Sequence, residues 1–178
     1  LIQVFIIFFL LSAECHEPPV ITWTDSYQLS WKDFQGQPAN NSSAVAITAS
    51  GISFEYAIKE SVFGILNVKT KVSACFYPKE SWYKPKLVNN YILAHEQLHY
   101  NITELYARKF RKAITLIKPS KSLKSDLNTL QKTINSQLSK RQNDYDFETN
   151  NSRNTEAQQN WQLLIEKELQ ELETFKSL

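Results

Sequence analysis

LVNNYILAHEQLHYNITELYARKFRKAITLI, residues 87–117, decides the architecture. It carries helix formers throughout and meets no Gly or Pro until Pro119, so it predicts one helix of about seven or eight turns. The segment just before it, LNVKTKVSACF at residues 66–76, reads differently. There Leu66, Val68, Thr70, Val72, Ala74 and Phe76 alternate with Asn67, Lys69, Lys71 and Ser73, and Ile52, Phe54, Tyr56 and Ile58 alternate upstream. Period two with one wet face is the mark of an antiparallel sheet. The change of period near Pro85 therefore predicts an α+β fold: a sheet within residues 27–77, then helices, with the 87–117 helix packed on the sheet. Tyr91, Ile102 and Tyr106 share a face of that helix with the histidines described below, and that face is expected to be buried.

Two more helices follow. Pro119-Ser120 ends the first, and Leu123, Leu127, Leu130, Ile134 and Leu138 then form an amphipathic stripe. Residues 143–154 are polar and read as a turn-rich segment. Thr155 with Gln158 resembles a capping box, and Trp161, Leu164, Ile165, Leu169 and Leu172 stripe the last helix. Gly36 to Ser43 reads as an exposed loop.

Composition limits the function. The chain has 178 residues, 42% hydrophobic and 21% charged, with a net charge of +2. A polyelectrolyte partner would need clustered basic charge, so no nucleic-acid partner is expected. Three glycines cannot build a phosphate-cradling loop. Leu1 to Leu11 contains one polar side chain, Gln3, and is followed by Ser12, Ala13 and Glu14. That is too short for a membrane span and has the length of a signal-peptide core. Residues 1–15 are therefore read as a signal, cut off at its start, and residues 16–178 as a single exported domain. Cys15 invites a lipid anchor, against which Glu14 argues. Cys75 falls in a strand and reads as a packed side chain.

Two of the three histidines stand in His95-Glu96-Gln97-Leu98-His99, an H-E-x-x-H motif inside the predicted helix. His95 and His99 lie about 40° apart around the helix, so both imidazoles can reach one Zn²⁺. Glu96 projects from the neighbouring strip, where it can act as general base on a water whose pKa zinc lowers to about 7. A Gly turn with a third His soon after is absent, since Ile102 and Leu105 hold those places. Glu104 points roughly 180° from His95; its plain reading is an i,i+4 pair with Arg108, with a supporting role around the metal as the other option. The third ligand must come from elsewhere, and the 143–152 segment offers Asp146, Glu148 and Asn151. His16 is the other imidazole.

These stretches resemble a bacterial family catalogued as a domain of unknown function and described as secreted zinc-dependent proteases. The resemblance is carried by Ser81-Trp82 through the 95–112 helix, by Leu29 to Gly36 (W-x-D-F-x-G), by Ala44 to Tyr56, and by Tyr145 to Thr149 (Y-D-x-E-T) with Gln158 and Trp161. It covers roughly residues 27–165. Where the family pattern carries a His two residues after that Thr, this chain has Asn151. The resemblance implies an exported zinc hydrolase, a peptidase acting on peptide or protein substrate in the periplasm, the cell envelope or beyond the cell. The departure at Asn151 motivates the rival, a catalytically inactive zinc- or partner-binding envelope protein.

Overall fold

The computed structural model describes residues 19–39, 41–61 and 64–177. Leu1–Leu11, Cys15 and His16 lie outside them. The fold is α+β, an antiparallel sheet followed by three helices. Strand β1 (Ile21–Thr22) and the long hairpin β3 (Ser50–Ser61) and β4 (Gly64–Phe76) form a sheet of order β1-β4-β3. Strand β2 (Ala46–Ile47) pairs with β5 (Trp82–Tyr83) as a separate two-stranded ribbon. Helices α1 (Asn90–Ile114), α2 (Leu123–Glu148) and α3 (Thr155–Glu171) follow.

The alternation seen in the sequence sets the hairpin register. Ile52 faces Ala74, Phe54 faces Val72 and Ile58 faces Val68, so the apolar side chains share one face. That face meets α1: Phe110 packs on Phe54 at 4.7 Å and Tyr100 on Phe76 at 5.7 Å between ring centres. The far side of α1 meets α2 and α3, so the helix is covered nearly all round over Ile102–Arg108. Ile102 and Tyr106 are buried and Tyr91 is half-buried, as the shared face with the histidines required.

Three expectations need correction. Tyr27 to Phe34, where the expected 27–77 sheet was to begin, is not a strand; it holds a 3₁₀ turn at Trp31–Asp33. The Asp33 carboxylate accepts from the Ser30 N–H (2.7 Å), the Ser30 hydroxyl (2.9 Å) and the Tyr27 hydroxyl (2.8 Å). Such local bonds compete with a sheet ladder. Gly36 follows because its N–H reaches Ser81 O at 2.7 Å, and a Cβ there would lie 2.7 Å from Lys79 O. Second, residues 143–148 are not turn but the end of α2. Gln142, Tyr145 and Thr149 continue the stripe of Leu138 at spacings of four, three and four, and Tyr145 and Thr149 are fully buried. The turn is confined to Thr149–Asn154. Thr155 is likewise not the cap of α3: the Asn154 side chain accepts from Ala157 N at 3.1 Å.

Candidate metal centre

Helix α1 starts at a true cap, since the Asn89 side chain accepts from Ile92 N at 3.0 Å. Six residues further on, His95 and His99 stack one turn apart with their ring planes nearly perpendicular. Their Nε2 atoms are 3.2 Å from each other. Asp146, on the last turn of α2, places Oδ1 at 3.1 Å from His95 Nε2 and 3.0 Å from His99 Nε2. His95 is 4% exposed, and the Asp146 side chain 41% exposed, so the cluster is buried on its helix side and open toward a cleft.

The amide neighbours show what these three atoms present to one another. Gln158 Nε2 donates to Tyr91 O at 3.2 Å, which turns Gln158 Oε1 to His95 Nδ1 at 3.1 Å. Gln142 Nε2 donates to His99 O at 2.9 Å and to Thr103 Oγ1 at 3.2 Å, which turns Gln142 Oε1 to His99 Nδ1. A carbonyl oxygen can only accept, so each Nδ1 carries a proton; a neutral ring then keeps a lone pair at Nε2, and a protonated ring donates from Nε2 to Asp146. With both rings neutral, two bare nitrogens and a carboxylate oxygen converge, and either a cation or a proton on an imidazole satisfies them. Three donors 3.0–3.2 Å apart can all lie about 2 Å from one ion. The donor set fits a divalent cation, and His95, His99 and Asp146 form a cluster that could hold one.

The charges respond to this crowding. Burial disfavours the His99 cation, but Asp146 and Glu96 outweigh it and hold its pKa above the ordinary histidine value. Burial also pushes Asp146 up, yet the two imidazoles prevail and hold its carboxyl well below the usual carboxylate range. The Tyr145 ring stacks on His95 at 4.5 Å, and burial, with the charges of Glu96 and Asp146, raises its phenol.

The cleft is walled by residues 43–48, by α1 and by residues 151–153. Glu96 lines it, 5% exposed, and its carboxylate meets no protein hydrogen-bond donor among the described residues. Its backbone oxygen is held by Thr48 Oγ1 at 3.2 Å. Of the three third-ligand candidates, Asp146 stands at the imidazoles. Asn151 lies on the cleft wall, and Glu148 turns away to accept from Trp161 Nε1 at 2.8 Å. Glu104 and Arg108 form a separate buried pair at 3.0 Å on another side of α1. Gln142 left no signal in the sequence beyond its place in the α2 stripe, and Gln158 carried only a motif position.

The chain belongs to a family of bacterial proteins of unknown function (DUF922), whose model matches residues 26–154. That match includes the cleft, both histidines and Asp146. No curated protein and no solved structure matches the chain. Among the described residues no helix is long and apolar enough to cross a membrane.

Proposed function

We propose that the protein is an exported zinc-binding protein of the bacterial cell envelope, with residues 16–178 as one domain and His95, His99 and Asp146 as the metal ligands. One observation carries this reading: two imidazole Nε2 atoms and a carboxylate oxygen lie within 3.0–3.2 Å of one another. Such a cluster is repulsive unless a cation, or protonation of an imidazole, compensates it. The apolar run at Leu1–Leu11 supports export. Metal-stripped protein is expected to take up about one equivalent of zinc in a chelator competition.

A second reading, a zinc-dependent hydrolase acting on peptides, is favoured by Glu96. Its carboxylate lines the cleft beside the cluster and engages no protein donor among the described residues, which leaves it free to act on a water in the cleft. Zinc bound there would lower the pKa of water toward 7 and polarise a carbonyl. Glu96 would take up a proton at its carboxylate. The H-E-x-x-H spacing on a zincin-like helix against the sheet supports the same chemistry. Peptide-library cleavage by wild type and by Glu96→Gln separates the readings. Cleavage lost in the variant while zinc stays bound supports the hydrolase; no cleavage by either supports the binding protein.

A further inference from the structure

We propose that Gln142 and Gln158 are positioning residues, each fixing one imidazole of the cluster with Nδ1 protonated and Nε2 bare toward the cleft. The consequence for metal affinity rests on the zinc-binding reading above; the tautomer itself is a property of the metal-free chain.

A neutral histidine can place its proton on either ring nitrogen, and only the bare nitrogen can ligate a metal. Nothing on α1 itself decides the matter for His95 or His99. The decision comes from two other helices, one glutamine from each: Gln142 on α2 for His99 and Gln158 on α3 for His95.

Each glutamine can do this because its amide cannot turn over. A flip of Gln158 would set its oxygen against Tyr91 O, and a flip of Gln142 would set its oxygen against His99 O. Either would bring two acceptors together and leave a buried N–H opposite another donor. Gln158 is 5% exposed, so water cannot rescue a flipped state there. The Tyr145 ring, stacked on His95 with 22° between planes, holds the imidazole in the orientation that Gln158 requires. Helices α2 and α3 therefore each orient one ring through an amide hydrogen bond at its Nδ1. In metal sites, loss of such an outer partner costs about 10–100-fold in affinity.

The test is a long-range ¹H–¹⁵N correlation spectrum of the metal-free protein, recorded about two pH units above the ordinary histidine value. Wild type is expected to show the Nδ1–H pattern for both His95 and His99. Gln142→Leu should alter His99 and leave His95 unchanged, and Gln158→Leu should do the reverse, so the untouched ring reports that the variant is folded. Zinc affinity by chelator competition should fall about 10–100-fold in each. Gln142→Glu keeps an acceptor at Nδ1 and should keep the Nδ1–H pattern of His99, which a packing role would not explain; because its second oxygen meets His99 O, this variant is read by tautomer and not by affinity. Should Gln142→Leu fail to fold, Gln142→Met supplies the same comparison with a side chain of the same reach. An Nε2–H pattern in wild type, or unchanged tautomers in the glutamine variants, overturns the proposal. A wild type that shows the Nδ1–H pattern and takes up no zinc overturns the zinc reading and leaves the tautomer assignment standing.

Discussion

Helix α1 carries two buried polar clusters, and they are built on opposite principles. In one, Glu104 accepts from Arg108 Nε at 3.0 Å and from Arg111 Nη1 at 3.0 Å. The spare guanidinium N–H groups reach Leu169 O, Glu173 and Val72 O, so donors meet acceptors throughout. In the other, His95 Nε2, His99 Nε2 and Asp146 Oδ1 converge on one point, and with both rings neutral acceptor meets acceptor. Both are buried by the same helix, and burial alone does not distinguish them. Complementarity does. A closed network clamps α1 to β4 and to the C-terminal turn, whereas an uncompensated one marks a place for a cation.

The contrast can be broken at either end. The largest effect on stability is expected from Glu104→Ala, which leaves the buried Arg108 guanidinium and the half-buried Arg111 one without their carboxylate. Removing one partner of a buried pair costs about 3–5 kcal/mol, to be read from urea denaturation, and the loss should be the same with and without zinc. The metal cluster should behave in the other way. Zinc at about 100 times its Kd should stabilise wild type by about 2.7 kcal/mol, and Asp146→Ala should lose most of that increment. Equal zinc stabilisation in the Asp146 variant would remove it from the ligand set.

The pH dependence follows from the direction of two shifts. The raised pKa of His99 gives metal-free protein a stabilising contribution that is complete below about 6.5 and lost as pH climbs through the folded value. The depressed Asp146 contributes above about 4 and fades as pH falls through its lowered value. Metal-free protein should therefore gain least from the cluster above the histidine range. Zinc should gain there, because protonated imidazole cannot ligate. The zinc-induced rise in Tm is expected to grow as pH increases from 5 to 8, roughly across the histidine range, and a flat profile would contradict ligation by histidine.

The smallest effect is expected at Asn151. It lies on the cleft wall, exposed, in a run of three left-handed residues with φ of 50°, 50° and 68° at Asn150, Asn151 and Ser152. With Asp146 already at the imidazoles, Asn151→His should change zinc affinity by no more than about threefold, well short of the ten- to hundredfold scale of a true shell change. A tenfold tightening would show that the shell lacks a ligand.

Much of this was legible in the sequence because periodicity reports burial. Alternation at Ile52–Ile58 and Val68–Phe76 gave the hairpin, and the loss of Gly and Pro after Pro85 gave α1 with His95 and His99 on one face. The turn at Trp31–Asp33 was hidden, because its aromatic side chains pack on Tyr83 and Phe76 from a 3₁₀ turn as well as a strand would. The end of α2 was hidden by its own composition. Asn143 and Asp144 face solvent, and only the burial of Tyr145 and Thr149, a tertiary fact, keeps the helix running to Asp146. The third donor was for that reason one of three candidates until α2 was seen to end at the imidazoles. The roles of the glutamines could not be read, although Gln158 held a motif position, since an amide acquires a role only from what stands on each side of it.

Zinc uptake by wild type and by His95→Ala, measured side by side against a chromogenic chelator, tests the central claim most directly. Wild type should take up about one equivalent per chain and the variant should hold none. Unchanged uptake in His95→Ala, or no uptake by wild type, would contradict it.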